Sequence, residues 1–211
     1  MTIRVILADD HKILLDTLGL LLENEKDMKV VGVATDGREV QEAVASLLPD
    51  VVVMDIGMPG MNGIEATRRL VADYPKIKVI ALSAFTHKQY VLEMLDAGAS
   101  AYIIKENAGS ELVRAMHAVM KGQKYLCPEV AAIVVDNTGY HSLEGIPQLG
   151  QREREVLQLL AEGGTSPVIA RRLYISTSTV DVHRRNIMRK LGLHSVAELT
   201  KYAVRNGLTS I

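Results

Sequence analysis

Residues 51–63 read VVVMDIGMPGMNG. Three valines and a methionine in succession show no polar alternation, which predicts a strand buried on both faces, as in parallel sheets covered by helices. Asp55 closes the run. The Gly, Pro and Asn residues behind it make a turn-rich loop that leaves the carboxylate accessible. A parallel strand needs helical crossovers before and after it, and the flanking sequence supplies them.

Four further Val- and Ile-rich runs, IRVILAD (3–9), KVVGVA (29–34), KVIALS (78–83) and AYIIK (101–105), alternate with stretches of helical spacing such as KILLDTLGLLLEN (12–24) and GSELVRAMHAVMKG (109–122). Residues 1–121 are therefore predicted to form an α/β domain of five βα units, a five-stranded doubly wound parallel sheet. Between 122 and 147 the pattern lapses into one short apolar helical stretch after Pro128, then Asn, Thr, Gly, Ser and Pro, which reads as a linker. Residues 148–211 hold four helical patterns and no strand signal, a small all-α domain.

No apolar segment approaches the roughly 18 residues a membrane span needs, and no leader peptide is apparent, so the expected location is cytoplasmic. The lone cysteine, Cys127, can form no internal disulfide and reads as a small buried hydrophobe. The net charge of -1 hides an asymmetry: residues 148–211 carry ten Lys and Arg against five Asp and Glu, and the rest of the chain is acidic. A basic last domain suits a phosphate-bearing partner.

The polar residues of the first domain fall at strand ends: Asp9 and Asp10 after the first, Asp55 after the third, Ser83 after the fourth and Lys105 after the fifth. In a parallel sheet these ends share one edge, where doubly wound folds bind ligands. Such acids also serve as ordinary helix caps; their convergence on one edge favours a site. Three adjacent carboxylates repel, and a hard divalent cation such as Mg²⁺ together with lysine relieves that repulsion. Asp55 is then placed to attack a phosphoryl group, with the Gly57 carbonyl a further metal ligand. A phosphohydrolase would need a second acid beside the nucleophile. The residue two beyond Asp55 is Gly57, so an aspartyl-phosphate should persist, which suits a signal and not a turnover enzyme.

ADDH, DIGMPGMNG, the Ser of ALS and the Lys after AYII resemble the receiver domain of two-component response regulators, whose fold is flavodoxin-like. The resemblance implies that Asp55 accepts phosphate from a histidine kinase and that Asp10, Asp55 and the Gly57 carbonyl bind Mg²⁺ with Asp9 supporting. It further implies that Lys105 contacts the phosphoryl oxygens, Ser83 swings toward them, and Tyr102 rotates inward as a switch. Many receivers have Pro after the lysine; this chain has Glu106.

In the last domain STSTVDVHRRNIMRKLG (176–192) opens on a natural N-cap, Ser176. At 100° per residue Val180, Ile187 and Leu191 form one apolar stripe, and Ser178, Val182, Arg185 and Arg189 gather opposite with Asp181 at their margin. Following PVIARRL and a short turn, this is helix-turn-helix spacing, in which the second helix enters the major groove. The segment 149–193 resembles the LuxR-type DNA-binding domain, and the whole chain resembles a NarL/FixJ-type response regulator. That implies a transcription factor that binds promoter DNA, dimerising when phosphorylated, through Ser178, Asp181, Val182, Arg185 and Arg189. Three departures stand out: Gly150 replaces a capping Thr, Pro167 and Val168 replace a polar pair, and Asp181 replaces a lysine. Asp181 has three readings: an ion pair with Arg184 or Arg185, a hydrogen-bond acceptor for cytosine N4, or a mark of weak intrinsic DNA binding. A regulator acting through protein contacts alone is the alternative they leave open.

Overall fold

The computed structural model describes residues 2–84, 88–135, 149–205 and 208–209, in two compact units, Met1–Tyr140 and His141–Ile211. In the first, β1 (Ile3–Ala8), α1 (Lys12–Glu23), β2 (Met28–Ala34), α2 (Gly37–Leu47), β3 (Val51–Asp55), α3 (Gly63–Asp73), β4 (Lys78–Ser83), α4 (Lys88–Asp96), β5 (Ala101–Ile104) and α5 (Ala108–Met120) alternate along the chain. The strands pair in parallel in the order β2-β1-β3-β4-β5, and β3 and β5 are buried at every residue. Burial on both faces is the physical reason these strands lack alternation. Leu15, Leu18 and Leu22 of α1 and Leu112, Ala115, Met116 and Val119 of α5 close one face of the sheet, while α2, α3 and α4 pack side by side away from them.

Five strands were expected, and among the described residues the sheet has six. β6 (Tyr125–Leu126) extends the edge beyond β5, Tyr125 opposite Ala101 and Leu126 opposite Tyr102, and α6 (Pro128–Val135) follows it. Two residues are too few to carry a periodicity, so this strand has no signal of its own in the sequence. α6 packs on α4 and β5 with Val130 fully buried, so this part of the expected linker belongs to the first unit. Cys127 is buried, as expected, and its N–H donates to the Tyr102 carbonyl across 3.2 Å. The rest of the expected linker, 136–147, lies outside the described residues.

The second unit contains, among its described residues, α7 (Gln151–Ala161), α8 (Ser166–Leu173), α9 (Thr177–Leu191) and α10 (Val196–Arg205). α7 packs against α9 and α10, and α8 against α9, around Val156, Leu157, Ile169, Val180, Ile187, Leu199 and Ala203. Of the apolar stripe, Val180 and Ile187 are buried, whereas Leu191, in the last turn, is only half-buried. No helix among the described residues is long and apolar enough to cross a membrane.

Candidate functional site

The strand ends of the first unit do converge. Asp55 is the last residue of β3 and Ser83 the last of β4; Asp9 follows β1 directly and Lys105 follows β5. Lys105 Nζ lies 2.7 Å from Asp9 Oδ2 and 3.1 Å from Asp55 Oδ2, so one ammonium spans two buried carboxylates. His11 Nδ1 sits 3.0 Å from Asp9 Oδ1 and 2.8 Å from Asp10 Oδ1, and the His11 N–H donates to Asp9 Oδ1 across 2.9 Å. Ligand atoms from Asp9, Asp10, His11 and Asp55 all fall within 4.8 Å of one another, close enough to share a divalent cation.

Burial is the largest influence on Asp55 and pushes its carboxyl up; Lys105 opposes it, Asp9 reinforces it and the Gly57 N–H opposes it, leaving a pKa of about 6. At neutral pH the group is chiefly an anion, yet one held in a poorly solvated place. Burial works to neutralise Lys105, but the Asp55 and Asp9 carboxylates outweigh it and hold the ammonium above its ordinary pKa.

What aims Asp55 is a contact that sequence reading misses. Asn62 caps α3, accepting from the Glu65 N–H at 3.0 Å, and the Gly63 N–H donates to the Ile56 carbonyl at 3.0 Å. A Cβ at Gly63 would stand 1.9 Å from the Asp55 carbonyl oxygen. Only glycine lets α3 start so close to the end of β3. The MNG triplet marks a turn, but the approach itself is a tertiary fact with no local signal.

Tyr102 is fully buried, and its hydroxyl shares a hydrogen bond with the buried Ser83 side chain; burial foremost raises its pKa to about 12. The ring thus already points inward, beneath the site. Where many receivers have Pro, Glu106 is exposed in a 3₁₀ turn, Lys105–Asn107, that leads into α5.

In the second unit Ser176 caps α9, accepting from the Thr179 N–H at 3.1 Å, and Gly192 ends it in the left-handed region at φ 64°. Ser178, Val182, Arg185 and Arg189 are all exposed on α9. The Ser178 hydroxyl lies 2.7 Å from that of Ser176, and Arg189 donates to Asn186 at 3.0 Å. Asp181 is half-buried: it accepts from the Ser166 hydroxyl at 2.8 Å, and Arg184 is 3.9 Å away. Ser166 and Glu153 are the residues sequence reading left out. Gly150 offers α7 no side-chain cap, and Glu153 compensates from inside the helix, accepting from the Gly150 N–H at 2.7 Å while Lys190 of α9 donates to it at 2.6 Å. Pro167 stands in the first turn of α8, where its missing N–H is tolerated.

Residues 5–117 match the response regulator receiver domain, and residues 147–203 match the luxR family of bacterial regulatory proteins. The chain belongs to the two-component response regulators. Along its length this regulator is similar to the transcriptional regulatory protein LiaR of Bacillus subtilis (strain 168), 36% identical over 99% of this chain and 100% of LiaR. Among solved structures it is similar to RcsB of Salmonella enterica serovar Typhimurium bound to promoter DNA in the presence of the phosphomimetic BeF3⁻, with a TM-score of 0.63 and 27% identity over 99% and 100% of the two chains. A structure of two RcsB dimers on two parallel DNAs matches at a TM-score of 0.60 and 28% identity over 96% and 98%. Receiver and LuxR-type domain together make this response regulator a DNA-binding transcriptional regulator of a two-component system, not a turnover enzyme.

Proposed function

We propose that this response regulator accepts a phosphoryl group on Asp55 from a histidine kinase and, once phosphorylated, dimerises and binds paired half-sites in promoter DNA, in the cytoplasm. The observation that carries the reading is Lys105 Nζ held between Asp9 and Asp55 at 2.7 and 3.1 Å, beside a third carboxylate. Asp55 Oδ attacks the phosphorus of a phosphohistidine; a P–O bond forms as the P–N bond breaks, and the imidazole leaves. The oxygen-rich donor set of Asp9, Asp10, Asp55 and the Gly57 carbonyl fits Mg²⁺. When bound, the ion neutralises charge on the phosphoryl oxygens. Lys105 adds its ammonium to the same oxygens, and because it is already ionised it needs no proton transfer to do so.

Ser83 is the switch that turns toward the new phosphoryl oxygens, and Tyr102, hydrogen-bonded to it, follows. With no acid at Gly57 to activate water, the acyl phosphate lasts long enough to signal. On α9, Ser178, Val182, Arg185 and Arg189 form the surface offered to the major groove with Asp181 at its edge, the arginines supplying phosphate or guanine contacts. That RcsB is found as dimers on DNA supports the dimeric form of the reading.

The deciding experiment is a genome-wide DNA pull-down by the full chain with and without BeF3⁻, with Asp55→Ala in parallel. Enrichment of discrete fragments that rises with BeF3⁻ in wild type alone is expected. Equal enrichment in every arm would refute the switch, and no enrichment in any arm would refute DNA binding.

A further inference from the structure

We infer that Asp181 is a positioning residue, which fixes the angle between the two helices of the helix-turn-helix through Ser166 and does not itself read a base. The inference deepens the DNA-binding reading and rests on it. Ser166 is the first residue of α8, and its hydroxyl reaches across to Asp181 Oδ1 at 2.8 Å, in the second turn of α9. The bond therefore ties the start of one helix to the body of the other, opposite the turn that joins them.

α8 needs such a partner. Its N-cap, Thr165, makes no side-chain cap, and its first turn contains no acid. The opening of a helix leaves unsatisfied N–H groups and a partial positive charge, for which a carboxylate is the fitting neighbour. Asp181 brings that carboxylate from α9. A lysine there, as the family resemblance leads one to expect, would set an ammonium against the same positive end. The uncapped start of α8 and the acid on α9 thus form one arrangement, and what looked like an isolated departure is its second half. Arg184, 3.9 Å away with both side chains some two-fifths exposed, is too solvated to hold the carboxylate in place by itself.

The geometry also bears on discrimination. With its oxygen engaged by Ser166, Asp181 has one negative charge near the edge of the DNA surface and little freedom to reach a base. That charge weakens attraction to any phosphate backbone equally, whereas base contacts from Val182, Arg185 and Arg189 depend on how α9 is held.

The test uses the full-length protein as wild type, Ser166→Ala, Asp181→Ala, the double variant, and Asp181→Asn, which keeps an acceptor oxygen and removes the charge. Hydrogen exchange of the α8 amides needs no DNA. Ser166→Ala and Asp181→Ala should each speed it about fivefold, the worth of one hydrogen bond, the double variant no further, and Asp181→Asn much less. Independent, multiplying effects would overturn the pairing. Anisotropy is then measured across salt on a duplex selected by the wild type and on random duplexes. Ser166→Ala should lower the ratio of specific to random affinity about fivefold, while Asp181→Asn tightens both duplexes alike and keeps the preferred sequence. A new base preference in Asp181→Asn would assign the carboxylate to base reading. An unchanged ratio in Ser166→Ala would reduce the pair to a structural cap, and either result overturns the inference. If the wild type bound no duplex at all, the DNA reading would fail, and the exchange cycle would still decide the pairing.

Discussion

Asn107 donates its side-chain amide to Glu129 across 3.1 Å, joining the turn that begins at Lys105 to the start of α6. The same helix follows Cys127, whose N–H is bonded to the Tyr102 carbonyl. Two of the residues expected to respond to phosphate therefore connect within a few bonds to α6. The bond is solvent-exposed and Asn107 only half-buried, so Glu129→Ala should change stability by less than about 0.5 kcal/mol. Adding BeF3⁻ to wild type should alter hydrogen exchange at 105–107 and across 128–135. In Glu129→Ala the first change should remain and the second should shrink; an undiminished change in α6 would show that the bond carries no signal.

Gly63 sets the height of α3 over Asp55. A methyl group there would meet backbone, the Asp55 carbonyl at 1.9 Å, which no side-chain rearrangement can relieve. Gly63→Ala is expected to cost about 3 kcal/mol in denaturant unfolding and to slow phosphoryl uptake. Gly60→Ala is the contrasting control: nothing lies within 4 Å of its Cβ position, so only its left-handed backbone at φ 73° is strained, a cost of about 1 kcal/mol.

The sheet was legible because burial on both faces leaves an unbroken apolar run, as in VVVMD, and because parallel strands put their polar terminators on one edge. Asp9, Asp55, Ser83 and Lys105 follow from that rule alone. β6 did not follow, since Tyr125 and Leu126 acquire strand character only by pairing with β5. Ser176 could be read as a cap because capping is local; the Ser166 to Asp181 bond could not, because it joins separate helices. Glu153 shows both sides: its bond to the Gly150 N–H is a matter of spacing, and its partnership with Lys190 is tertiary.

Asp55 holds its proton more tightly in the folded chain, at a pKa of about 6, than its ordinary value of 3.8. The folded state thus binds more protons than the unfolded one between these values, and stability falls as pH rises from about 4 to about 6. Above that window the buried anion costs about 3 kcal/mol. In chelator-treated protein at about pH 7.5, roughly one and a half units above the upper end of that window, Asp55→Asn should therefore raise the thermal midpoint, and the gain should vanish near pH 4. Equal midpoints for the two proteins at both pH values would show that Asp55 carries no such penalty.

Glu153 behaves in the opposite sense. Burial disfavours its charge, but the Lys190 ammonium and the Gly150 N–H prevail and hold its pKa below the ordinary carboxylate range. Its contribution is present at neutral pH and is lost as pH falls from that range through the lower folded value. Glu153→Ala removes a helix-end bond and an inter-helix pair together, and is expected to cost the helical unit about 1 to 2 kcal/mol at pH 7. Far-ultraviolet melting of the full chain would detect it, with the difference narrowing below pH 4 (roughly the carboxylate range).

Arg185 and Arg189 both stand exposed on α9, one and two turns beyond Asp181, but they start from different states. Arg189 is held by Asn186 at 3.0 Å, so its guanidinium is oriented before DNA arrives. If each arginine pairs with one phosphate, replacing either by Ala should lower the slope of log affinity against log salt by about 0.9 and weaken all duplexes alike. If an arginine reads guanine, the loss should fall on the selected duplex, by about 1 to 3 kcal/mol, with much less change on random DNA. Asn186→Ala separates the two residues further: it should weaken binding where Arg189 is present and have no added effect in Arg189→Ala. An Asn186→Ala penalty that persists without Arg189 would mean that Asn186 touches DNA on its own account.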